Sequence, residues 1–104
     1  PGFFNGQRFE LDSVLLGRGD ELDLRNLSAL GVDPRTGHML VLSADSNMLL
    51  ELDEQGQQVS FMTLLGGFNG LEGTIPRAEG VAMDDKGNLY MVSEPALFYR
   101  FKKN

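Results

Sequence analysis

The chain has no cysteine and no tryptophan, a single histidine, and only 9 lysines and arginines against 15 aspartates and glutamates in 104 residues. Without cysteine there are no disulfides, no zinc-thiolate sites and no thiol nucleophile, and neither an oxidising nor a reducing compartment is favoured. A net charge of −6 repels polyanions on average. That argues against nucleic acid or an anionic lipid surface as partner and leaves cations as suitable ligands. Long hydrophobic runs are also missing: stretches such as residues 89–92 fall far short of the roughly 18 apolar residues that cross a bilayer, so no direct membrane contact is expected of this segment. The chain opens with Pro1 and no basic-then-apolar leader, and a targeting segment of a parent protein is expected upstream.

What the chain does have is enough apolar content, 41%, for one core. Its 17 leucines favour helix, but its 13 glycines punctuate the chain too often for long helices. Short strand-like runs recur at residues 9–12, 21–24, 29–33, 39–42, 49–53, 59–64, 80–83, 89–92 and 97–101, a spacing that reads as all-β. One stretch, residues 46–55, fits either an amphipathic helix or a strand by local pattern.

An internal repeat decides between them. Shifted by 50 or 51 residues, SALGVD (28–33) falls on EGVAMD (79–84), and MLVLS (39–43) on LYMVS (89–93). The intervening turns, Asp33-Pro-Arg-Thr-Gly37 and Asp84-Asp-Lys-Gly87, each end in a glycine able to take positive φ, as a tight hairpin needs. Residues 49–52 then fall on 98–101 as a third strand, and residues 59–64 supply a fourth. A four-stranded meander repeating every ~50 residues is the signature of a β-propeller blade, with a small sandwich or barrel as the alternative. In a blade covered on both sides, the unalternated residues 89–92 are expected to be buried on both faces.

The runs AEGVAMD (78–84) and VSEPALFYRF (92–101) resemble the C-terminal end of the SdiA-regulated family, bacterial envelope proteins distantly similar to NHL-repeat propellers. Residues 23–53 look like that family's penultimate blade. The resemblance covers roughly residues 20–104 and weakens before residue 20. It implies a propeller of about five blades, held in the periplasm by an N-terminal anchor, with a calcium ion at a shared site and no established biochemical activity. On this basis residues 1–25 are expected to be the outer strands of a preceding blade and residues 26–65 a complete blade. Residues 66–77 would be a flexible glycine-rich inter-blade loop, and residues 78–104 a partial final blade lacking its fourth strand.

Familiar catalytic patterns are missing: there is no G-x-S-x-G elbow, H-E-x-x-H or D-x-[DN]-x-[DN]-G loop. His38, just after Gly37, reads as a surface histidine at a hairpin edge. Asp84, Asp85 and Asn88 crowd one turn, where such side chains ordinarily bond their own backbone. The glycine-rich segment lacks the pattern of a phosphate loop. Glu79 and Glu94 stand out because they lie seven and eight residues either side of Lys86, so antiparallel pairing carries both to one end of the sheet. Two carboxylates so placed suit a hard cation such as Ca2+, with Ser28 of the other repeat as a neighbour.

Two functions stay open. One is a calcium-binding propeller acting as a binding or scaffold module of the cell envelope. The other is a metal-dependent hydrolase of the lactonase, esterase or phytase kind. Because about two blades cannot close a ring, the expected partners are the remaining blades of a longer parent chain or copies of the chain itself.

Overall fold

The computed structural model describes residues 3–16, 29–43, 46–75, 78–93 and 97–103. Eight strands follow in order: β1 (Phe9–Leu16), β2 (Leu30–Val32), β3 (Met39–Ser43), β4 (Met48–Leu52), β5 (Gln58–Thr63), β6 (Ala78–Met83), β7 (Leu89–Ser93) and β8 (Leu97–Lys103). They form two four-stranded antiparallel sheets, ordered β2-β3-β4-β5 and β1-β8-β7-β6. The fold is all-β, an incomplete propeller of about two blades, and no described segment is a helix long and apolar enough to cross a membrane. The ambiguous residues 46–55 hold β4, entered through Asn47 at φ 51°. The hairpin glycines adopt the left-handed backbone their turns require, Gly37 at φ 77° and Gly87 at φ 86°.

Cross-strand rows explain the core. In the first sheet, Leu42, Leu49 and Met62 stand opposite one another on the face that also carries Gly31, Leu40, Glu51 and Ser60. In the second, Met83, Leu89, Phe101 and Leu11 form one row, and Val81, Met91, Tyr99 and Val14 the next. These two faces supply most of one hydrophobic core. Burying each large aliphatic side chain here contributes about 2 kcal/mol. Gly31 lets the sheets approach, since a Cβ there would lie 3.0 Å from the Val81 carbonyl oxygen.

The repeats bury opposite faces. Val32 pairs with Met39 and Met83 with Leu89, so the hairpins are in the same register. Yet Leu40 is the fully buried residue of the first and Leu89 that of the second. Sheets fanned side by side must do this, one blade presenting its leading face to the next blade's trailing face.

This arrangement corrects three expectations. Residues 89–92 are not buried on both faces: Leu89 and Met91 are buried and Tyr90 and Val92 half-buried, because the other sheet covers only one side. The final blade does not lack a fourth strand. β1 supplies it, pairing with β8 from Phe9↔Lys103 to Leu16↔Leu97 around an irregularity between Leu11 and Ser13, so residues 9–16 do not belong to a preceding blade. The physical reason is that β8 would otherwise expose an unpaired edge, and β1 matches it in charge. Glu10 stands opposite Lys102, and the Asp12 carboxylate lies 3.5 Å from Arg100 and 3.6 Å from Lys102. The strand expected at residues 21–24 lies outside the described residues.

Third, the glycine-rich segment is an anchored loop rather than a flexible connection. Gly66 N–H donates to Thr74 Oγ1, Gly67 N–H to the Leu71 carbonyl and Ile75 N–H to the Leu64 carbonyl, while the Asn69 carbonyl accepts from Leu11 N–H of β1. Leu71 and Ile75 are buried in the core.

Replacing Gly31 by valine is expected to force the two sheets apart and lower stability by about 1–3 kcal/mol, read as a lower urea midpoint with an unchanged m-value.

Candidate functional site

The most developed polar constellation lies at the turn end of the first sheet. It begins with a turn aspartate. Asp33 follows β2 and closes the hairpin: its Oδ1 accepts Arg35 N–H at 2.9 Å and its Oδ2 accepts Thr36 Oγ1–H at 3.0 Å. The second carboxylate is Glu51 on β4, placed on the core-facing side beside Leu40 by strand alternation. Asp33 is fully buried and Glu51 is 4% exposed, so each needs hydrogen-bond donors around it.

The turn that precedes β1 supplies them. Asn5, at φ 56°, donates from Nδ2 to Asp33 Oδ2 at 2.7 Å and to Glu51 Oε2 at 2.9 Å. Its backbone N–H donates to Ser60 Oγ at 3.0 Å, and Ser60 in turn donates to Glu51 Oε1 at 2.6 Å. Arg35 Nη2 donates to Asn5 Oδ1, its Nε lies 3.5 Å from Asp33 Oδ1, and Nη2 approaches Met83 Sδ of the second sheet. His38 Nδ1 lies 2.8 Å from Glu51 Oε2. His38 is therefore no bare surface histidine: it is half-buried and paired.

These contacts set the protonation states. The hydrogen bond to Glu51 raises the His38 pKa above its usual 6.5; desolvation opposes the rise, and the charges of Glu51, Asp53 and Asp33 reinforce it. For Asp33, burial pushes the pKa up, but the hydrogen bonds from Arg35 N–H, Asn5 and Thr36, with the Arg35 charge, outweigh it and hold the carboxyl below 3.8. The second repeat lacks the extra carboxylate. Asp84 accepts from the backbone N–H groups of Lys86 and Asn88, from Asn88 Nδ2 and from the Tyr90 hydroxyl. Together these bonds overcome its desolvation and lower its pKa as well.

As chemistry, the constellation is a hydrogen-bonded staple. Ser60 donates to Glu51 and not to His38, so the carboxylate sits between hydroxyl and imidazole and the imidazole does not activate the hydroxyl. Among the described residues every buried side-chain nitrogen and oxygen has a partner. The residues singled out from sequence lie elsewhere. Glu79 is exposed on β6, at the irregularity between Ala78 and Gly80; Glu94 and Ser28 lie outside the described residues. Among the described residues no group of three or more His, Asp or Glu is placed to hold a metal ion. Sequence reading missed Asn5, Glu51 and Ser60. A carboxylate at a core-facing strand position was the available signal for Glu51.

Two antiparallel four-stranded meanders, packed leading face to trailing face with aspartate-closed hairpins at matched positions, define a pair of propeller blades. The family model described as SdiA-regulated matches residues 5–102. The chain belongs to the SdiA-regulated family.

Two outcomes are expected from the staple. Glu51→Ala strips His38, Asn5 and Ser60 of their shared acceptor and is expected to cost on the order of 3 kcal/mol in urea unfolding. Asp33 and Asp84 have native pKa values below the unfolded 3.8. Their contribution is therefore present above that pH and lost as pH falls through the lower native values. An acid unfolding series on Asp33→Asn should show a weaker pH dependence than the wild-type chain.

Proposed function

We propose that this chain acts as a binding or scaffold module of a bacterial cell-envelope propeller, without catalysis of its own at the Asp33–Glu51 constellation. The observation that carries this reading is the outer face of the first sheet. There Leu30, Val32 and Phe61 are each more than half exposed, in rows completed by the half-buried Met39, Val41, Leu50 and Leu52. A sheet face of this composition favours cover by another apolar surface. Further blades, of a longer parent chain or of another copy, have the matching chemistry. The periplasmic location implied by the family resemblance belongs to the same proposal. The order of Ser60, Glu51 and His38 supports binding rather than hydrolysis.

A calcium ion held by Glu79, with Glu94 and Ser28 as neighbours, is the second part of the proposal. An exposed acidic residue beside Gly80 leaves room for close approach by backbone oxygens.

Sedimentation equilibrium is expected to show concentration-dependent association of the wild-type chain and its loss in the Val32→Thr, Phe61→Ser double variant; a strictly monomeric wild-type chain would count against the open face as an interaction surface. Calcium titration calorimetry on the chain and on Glu79→Gln addresses the ion: heat in the first and none in the second is expected, and equal affinity in both removes Glu79 from the site.

A further inference from the structure

The segment before β1 touches both sheets. From Phe9 onward it is the edge strand of the second sheet, while three residues or more upstream it is fastened to the first. Phe4 and Gln7 bond each other's backbone across a tight turn. At its tip Asn5 reaches the buried carboxylates of Asp33 and Glu51, partners 28 and 46 residues away in sequence. Phe4 and Phe9, both buried, pack edge to face beneath this turn with ring centroids 6.0 Å apart. They line a crevice of about 90 Å³ together with Phe3 and Phe61.

We propose that this turn is a pH-sensitive clasp, which joins the two sheets while His38 is protonated and lifts from the first sheet when His38 loses its proton. Glu51 Oε2 accepts from both Asn5 and His38, so the clasp and the imidazole share one oxygen. With the clasp closed, two carboxylates are held out of water. A protonated His38 and Arg35 balance them. Neutral His38 leaves Arg35 as the facing cation from the hairpin, and lifting the turn lets water reach Glu51 and Asp33. The other charged groups around the cluster are Asp53 just after β4, Glu54, whose carboxylate lies beside Gly37, and Lys103 of β8, which reaches the same Gly87 surface as Arg35.

The direction follows from linkage. Closing the turn over Glu51 takes water from its carboxylate and strengthens its attraction for protonated His38, so His38 keeps its proton to higher pH in the closed form than in the lifted one. Closure is therefore favoured fully below the lifted-state pKa and loses that contribution as pH rises through the closed-state value. Asp33, whose pKa is lowered in the closed form, sets the other limit, because acid weakens its bond to Asn5. The closed clasp thus occupies the window between the two titrations. Opening uncovers Phe4, Phe9 and the crevice next to the exposed Phe61, which couples proton loss to exposure of apolar surface.

Hydrogen exchange of the full chain at about pH 5.5 and about pH 8.5, corrected for intrinsic rates, tests this across the titration range of a histidine. Protection of peptides covering residues 3–9 is expected to fall severalfold at the higher pH, while residues 39–52 change little. His38→Gln should abolish the step, and Asn5→Ala should leave residues 3–9 unprotected at both pH values. If Asn5→Ala fails to fold, the NMR titration of His38 in the wild-type chain replaces it: an apparent pKa at or below the ordinary value overturns the clasp. Equal protection of residues 3–9 at both pH values, or an undiminished step in His38→Gln, overturns it too.

Discussion

Pairing between the first described strand and the last holds this molecule together. β1 lies against the outer edge of β8, so the sheet built from the C-terminal repeat is completed by residues from the other end of the chain. Backbone hydrogen bonds give that pairing its strength, and the Glu10, Asp12, Arg100 and Lys102 charges help to set its register, because a slipped register would draw these opposite charges apart. Exposed ion pairs of this kind contribute little to stability. Their value here is in choosing the register. With β1 in place, Leu11 enters the core and the Asn69 carbonyl finds the Leu11 N–H, which fixes the glycine-rich loop. The turn ahead of β1 is delivered to the first sheet, where Asn5 meets its two carboxylates.

The two repeats have used the same turn aspartate differently. Asp84 is satisfied within its own hairpin, by Asn88 and by Tyr90 across the turn. Asp33 spends part of its capacity on Asn5 and stands in a network with Glu51, His38, Ser60 and Arg35. Sharing buried acceptors between a local turn and a distant segment makes the first hairpin depend on the chain end and on proton concentration. The second hairpin's aspartate titrates too, but its bonds do not reach a distant segment. The asymmetry follows from residue type: Tyr90 can donate from half-buried β7, while Leu40 in the first blade cannot, and Glu51 occupies a core-facing position that Arg100 holds outward in the second.

Face burial is the other consequence of fanning two similar sheets. Each blade has a leading and a trailing face, and in this pair one face of each is joined to the other's opposite face. The remaining face of the first sheet is a nearly continuous apolar surface, and that of the second carries Tyr90, Val92 and Arg100. Half-burial at Tyr90 and Val92, where two-sided burial was expected, records the same fact. A strand rich in apolar residues on both sides reports the surroundings it suits, not those it has in a two-sheet unit.

Legible from the residues alone were the all-β class, the hairpins ending at Gly37 and Gly87, the reading of the ambiguous residues 49–52 as a strand, and membership of the family. The first three rest on local turn chemistry and on a repeat of 50 or 51 residues, and the family on the resemblance carried by AEGVAMD (78–84) and VSEPALFYRF (92–101). Only the tertiary structure decided that β1 completes the last sheet, that residues 66–75 pack as an anchored loop, and that Asn5, Asp33, His38, Glu51 and Ser60 meet. The physical reason is separation. Asn5 lies 46 residues from Glu51 and 55 from Ser60. The repeat relates like positions of the two blades and does not relate Asn5 to either; they are joined by the way one sheet's edge and another sheet's buried carboxylates constrain the same short turn.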